Sequence, residues 1–84
     1  MAPEHPAGAL LVRFEKTGRG GKVVTIVSGL KMHPEGKSAL LADLKKKLGT
    51  GGAVKDGVLE LQGDQRDRLP PLLIAIGYKI IKGN

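Results

Sequence analysis

The 84-residue chain contains no cysteine and no tryptophan, one phenylalanine, one tyrosine and two histidines. The missing cysteine excludes disulfides, thiolate metal sites and cysteine nucleophiles. The scarcity of aromatics excludes the base-stacking surface of an RRM or an OB-fold, so RNA contact is expected through phosphates, 2′-hydroxyls and shape. No apolar run approaches the length of a transmembrane helix, and Met1 to Gly8 lacks the basic n-region and apolar run of a secretory signal. A cytoplasmic protein without membrane contact is expected. Catalytic sets are missing too: His5 and His33, with Ser28 and Ser38 as the only serines, offer no scaffold for a Ser/His/Asp triad. Asp64 and Asp67 read as helix-capping residues rather than an acid–base pair. Without clustered His, Asp or Glu, no metal site, cofactor or small-molecule substrate is expected.

Glycine is plentiful, and Gly18-Arg19-Gly20-Gly21-Lys22 superficially resembles a Walker motif. Its context is wrong, because a nucleotide loop continues into Ser or Thr and a helix N-terminus, whereas Lys22 is followed by Val23 and a strand pattern. Gly49-Thr50-Gly51-Gly52 follows a helix pattern and reads as a tight helix-to-strand connection with a glycine C-cap. A small-ligand or acyl-phosphate enzyme built on a glycine loop is the competing class, and a saturable small-molecule ligand would mark it.

Fourteen Lys and Arg against eight Asp and Glu give a formal net charge of +6 and a pI near 9.9, a balance that favours a polyanionic partner. The length suits one small core. Residues 1–8, rich in Pro, Ala and Gly, read as a flexible N-terminal tail, and residues 9–84 as a single domain. Leu10 to Glu15 alternates as a half-buried strand, and Lys22 to Ser28, apolar on both faces, suits a central strand. Pro34 opens a helix that should run to Leu48, with Leu40, Leu41, Leu44 and Leu48 in one stripe and Lys46 opposite. Ala53-Val54-Lys55 and Val58 to Gln62 are expected to form a hairpin about Asp56-Gly57. A second helix is expected to open with Asp64 as N-cap and to bury Leu69, Leu72, Leu73 and Ile76. Pro70 and Pro71 would kink it or delay its start to Leu69. Tyr78 to Lys82 reads as a last strand. The expected fold is α+β: a β-β-α-β-β-α-β two-layer sandwich with two helices on one face of a five-stranded mixed sheet.

The candidate contacts are basic. Lys16, Arg19 and Lys22 mark the glycine-laden tip between the first two strands, Lys45-Lys46-Lys47 a second patch, and Arg66 with Arg68 a third. With stacking aromatics scarce, these point to a folded RNA.

The run Leu44-Lys45-Lys46-Lys47-Leu48-Gly49-Thr50-Gly51-Gly52, continuing through Val54-Lys55-Asp56-Gly57 and Glu60 to Arg66, resembles the translation initiation factor one family of eukaryotes and archaea (the SUI domain), with its short bacterial homologues. Val23 to Leu30 and the preceding basic loop resemble that family's opening hairpin. The resemblance spans nearly all of Leu10 to Lys82. It implies a non-enzymatic protein, a monomer, that binds the small ribosomal subunit near the P site and influences start-codon selection or initiation-complex fidelity. By the same resemblance Lys16, Arg19 and Lys22 would contact ribosomal RNA, initiator tRNA or the message. Lys45, Lys46 and Lys47 would face rRNA, with Arg66 as a further RNA contact. One departure stands out: the last helix reads Leu69-Pro70-Pro71-Leu72-Leu73-Ile74-Ala75-Ile76 where members usually carry polar residues, leaving Ile74 as an exposed apolar contact. The alternative within binding proteins is a general structured-RNA binder, or a stress-related ribosome-associated protein without start-site selection.

Overall fold

A computed structural model describes residues 9–17 and 21–82, so the proposed tail and Arg19 at the tip lie outside the described residues. The elements are β1 (Ala9–Thr17), β2 (Lys22–Ser28), α1 (Pro34–Leu48), β3 (Gly52–Lys55), β4 (Val58–Gln62), α2 (Leu69–Ala75) and β5 (Lys79–Lys82). They follow the expected order and form a five-stranded sheet ordered β3-β4-β2-β1-β5. All neighbours pair antiparallel except β1 and β5, which are parallel, so the sheet is mixed. The doubly apolar β2 lies at its centre, as its composition demands.

Strand alternation divides the sheet into two faces. Leu10 and Val12 of β1, Thr25 and Val27 of β2, and Leu59 and Leu61 of β4 are buried. Apart from Thr25, the polar exception, they meet Leu41, Leu44 and Leu48 of α1 and Leu69 and Leu73 of α2 in one core cluster. The opposite face carries Arg13, Glu15 and Glu60 around Ile26, which is only 5% exposed beneath its neighbours although no helix covers it. Paired with each other, Arg13 and Glu15 lay their stems along that face.

Local chemistry sets the boundaries of α1. Pro34 occupies the first turn, where no N–H is required, and Glu35 follows it. Lys45, Lys46 and Lys47 occupy the last turn, where the macrodipole favours cations. Gly49 closes the helix at φ 66°, donating its N–H to the Lys45 carbonyl at 2.8 Å. The β3–β4 hairpin turns on Asp56 and Gly57, whose φ values of 51° and 80° are those a type I′ turn requires.

The second helix starts at Leu69, the delayed start that Pro70 and Pro71 impose, with both prolines in its first turn, where they cost no helix hydrogen bond; it departs from the sequence expectation in its cap and at its far end. Its N-cap is Arg68, without a side-chain cap bond, so Asp64 and Asp67 do not form a capping box. The Asp64 carboxylate instead accepts hydrogen bonds from the backbone N–H and guanidinium of Arg66. Ile76 falls beyond the helix and is 47% exposed rather than buried, while Ile74, at 56%, is exposed as expected.

Candidate nucleic-acid interface

The pairing registers decide where the basic segments go. β1 runs toward the hairpin tip and β2 away from it, with Thr17 paired to Lys22. Val24 pairs with Gln62, so β4 also runs toward the tip, and Gly52 pairs with Leu61, so β3 starts there. Because α1 feeds directly into β3, its lysine-bearing last turn lies at the tip end of the sheet. Because β4 feeds the turn over residues 63–68, Arg66 and Arg68 lie there too. Three basic segments separated in sequence therefore meet at one end of the molecule.

Within that end the side chains diverge. Lys16 and Phe14 belong to the helix-covered side of β1, while Lys22 belongs to the open side of β2. Both lysines lie at the turn end of the hairpin, and with Arg19 outside the described residues the tip is represented by these two. Lys46 is exposed and Lys45 half-buried. Lys47 pairs with Asp43 one turn earlier, at 3.0 Å with both side chains about half open to water, which is worth only a few tenths of a kcal/mol, roughly 0.3–0.5. The Arg68 guanidinium donates to the carbonyls of Leu48 and Lys47 at 3.4 and 3.5 Å, a loose link from the turn to the end of α1.

The turn over residues 63–68 is the best-anchored part of this end. Thr25 is fully buried; its hydroxyl donates to the Gly63 carbonyl and accepts from the Gln65 N–H, both at 2.8 Å. Gly63 N–H bonds the Val23 carbonyl at 2.8 Å. The Gln62 carbonyl accepts from Thr50 Oγ1 and Gln65 Nε2, each at 3.0 Å. Replacing Thr25 with Val keeps the shape of the side chain but leaves a carbonyl and an amide unpaired, at an expected cost of about 1–3 kcal/mol. Thr25→Ser keeps both bonds and removes about one methyl group, at roughly 0.8 kcal/mol. Urea denaturation should rank them wild type, Ser, Val; a Val variant as stable as wild type would contradict the role assigned to the hydroxyl.

Arg66 rises from this turn and lies over the Phe14 ring, its guanidinium carbon 3.7 Å from the ring centroid. Its Nε and Nη2 donate to the Asp64 carboxylate at 2.8 and 2.7 Å. The guanidinium hydrogen bonds, then the Arg66 backbone N–H, hold the Asp64 carboxyl below its usual range, and the Arg66 guanidinium is correspondingly raised. A depressed folded-state value means that this carboxylate contributes stability above the ordinary aspartate range and loses it as the pH falls through its own titration. In an NMR titration Asp64 should titrate below an ordinary aspartate, and Arg66→Ala should move it upward. An Asp64 midpoint unaffected by Arg66→Ala would contradict the pairing.

Sequence reasoning missed two elements of this site. Thr25 reads as another β-branched strand residue, although a lone hydroxyl on the core face of β2, between Val23 and Val27, was a usable signal. The Phe14–Arg66 stack joins residues far apart in the chain and left no local trace. Among the described residues no group of His, Asp and Glu could hold a metal ion, and no helix is long and apolar enough to cross a membrane.

The family model for translation initiation factor SUI1 matches residues 7–79. The chain belongs to the SUI1 family. Among the relatives of this chain, YciH of Escherichia coli (strain K12) is 48% identical over 81 residues, covering 94% of this chain and 75% of that protein. YciH of Salmonella typhimurium is 46% identical over the same shares. The protein translation factor SUI1 homolog of Sulfolobus acidocaldarius is 46% identical over 67 residues, covering 80% of this chain and 67% of that protein. The chain is thus similar both to bacterial YciH proteins and to archaeal translation factor homologs.

Proposed function

We propose that this SUI1-family chain binds the small ribosomal subunit near the P site and influences start-codon selection or the fidelity of the initiation complex. The observation that carries the reading is the convergence of the hairpin tip, the end of α1 and the 63–68 turn at one end of the fold. Lys16, Arg19 and Lys22 probe ribosomal RNA, initiator tRNA or message from the tip, and Lys45, Lys46 and Lys47 hold a second run of rRNA phosphates. Arg66, in the 63–68 turn, is a further RNA contact. Lysine side chains on a folded end bind phosphates by charge and spacing, which suits RNA recognised by shape. The protein acts as a monomer and by occupancy, without catalysis, in the cytoplasm where initiation takes place.

Chemical probing of small-subunit rRNA with and without the protein tests this. Protection should cluster around the P site and disappear in high salt. Scattered protection, or equal protection of unrelated folded RNAs, would favour a general structured-RNA binder and overturn the start-site reading.

A further inference from the structure

We propose that Arg66, stacked on Phe14 and held along one edge by Asp64, is a platform on which one unstacked nucleobase of the bound RNA lies. The chain is poor in aromatics, and its single phenylalanine cannot offer a ring face where Arg66 covers it. The stack transfers that function to the guanidinium. One of its planar faces rests on the Phe14 ring at 3.7 Å, and the Nε–Nη2 edge is engaged by Asp64 at 2.8 and 2.7 Å. The paired carboxylate offsets the charge along that edge, so Arg66 is less suited to clamping a phosphate than the lysines of α1. Its distinctive asset is a plane of fixed orientation, with 35% of the side chain open to solvent.

Guanidinium planes stack with splayed-out bases, and such stacking tolerates any sequence because every base has a π-face. The surroundings suit a nucleotide. Lys16 follows two residues after Phe14 on the same side of β1, and the α1 lysines share this end of the fold, so the platform lies at the end that carries the cations for the phosphates of a bound strand. The inner side of the turn is fixed by the buried Thr25 hydroxyl, which limits the reorganisation needed on binding. This inference rests on the RNA-binding reading above and adds base contact to the phosphate contact expected from the sequence.

The test compares a short oligoadenylate with an abasic strand of equal length, which carries the same phosphates but no bases. Wild type should bind the oligoadenylate about tenfold more tightly, the effect of roughly one stacked base, with the same salt slope for both. Arg66→Lys, which keeps the charge and removes the plane, should bring the oligoadenylate down to the abasic level. Phe14→Leu, which removes the backing ring, should narrow the gap. In the wild-type protein the Arg66 Nε–H resonance should shift upfield with the oligoadenylate and not with the abasic strand, a readout independent of how well the variants fold. Equal wild-type affinity for both strands, failure to bind either, or a gap retained by Arg66→Lys would overturn the platform. If P-site protection persists alongside such a result, the platform alone fails; if rRNA protection is also missing, the RNA-binding reading fails with it.

Discussion

Reversing Lys45, Lys46 and Lys47 to Glu should weaken binding to isolated small ribosomal subunits on the order of a hundredfold or more at moderate salt. Each reversal removes two units of charge, so the formal net charge falls from +6 to zero. The change is also local, because all three residues lie in the last turn of α1 at the end where the basic segments meet. Charge-assisted hydrogen bonds contribute about 1.5–3 kcal/mol each, so removing even one or two gives the stated magnitude. Counterion release adds a second signature: the slope of log affinity against log salt should fall by about 0.7–0.9 for each phosphate that the variant no longer neutralises. The reversal also places three acids against the helix C-terminus, costing roughly 0.3–1 kcal/mol apiece in stability. Binding should therefore be measured well below the variant's melting temperature. Affinity within about twofold of wild type, with an unchanged salt slope, would remove α1 from the interface.

The largest stability effect expected from a single small substitution lies in the connection that carries α1 into β3. A Cβ on Gly52 would run into the Glu60 carbonyl oxygen and lie 3.1 Å from Leu61 Cδ2. That oxygen belongs to the paired strand β4, so relief requires β3 to move away from it. The backbone bond from Gln62 N–H to the Gly51 carbonyl, at 2.8 Å, lies beside the same contact. Overpacking against backbone costs about 1–3 kcal/mol and occasionally more, and Gly52→Ala should fall in the upper part of that range. For a domain of this size about 3 kcal/mol corresponds to a fall in Tm of about 12–24 °C. Gly49 provides the contrast. It has the left-handed φ of 66°, but a Cβ there meets nothing within 4 Å. Gly49→Ala should cost only the backbone strain, roughly 1–2 kcal/mol. Calorimetry on the two variants should place Gly52→Ala lower; the reverse order would mean that backbone conformation, not the close approach of β3 to β4, dictates glycine at this connection.

These two glycines also show how far the sequence could be read. The connection, its C-cap and the preceding helix were legible because each depends on neighbours in the chain: Pro34 at the start, four leucines at helical spacing and Gly49 at the end. The β3–β4 hairpin was legible for the same reason, from Asp56-Gly57 between alternating runs. That Gly52 lies against Glu60 was not, because the contact depends on strand pairing. Asp64 misled for a related reason. Its type and position suit an N-cap, but the nearby Arg66 side chain is a stronger partner, and the prolines move the helix start to Leu69. The three basic patches were visible individually. Their convergence follows only from the strand order and directions, which turn separation along the chain into proximity at one end. The Phe14–Arg66 stack required the same knowledge.

The central claim is that this end of the fold, and not the overall positive charge, holds the small subunit. Comparing two neutralised proteins tests it directly: one with Lys45, Lys46 and Lys47 changed to Gln, the other with Lys31, Lys55 and Lys79 changed to Gln. The second set is exposed and lies toward the opposite end, after β2, at the end of β3 and at the start of β5. Both proteins lose the same formal charge. Co-sedimentation with small subunits across a salt series should show the first losing most of its binding and part of its salt slope, with the second remaining within about twofold of wild type. Equal losses in the two proteins would contradict the claim and reduce the interaction to net charge.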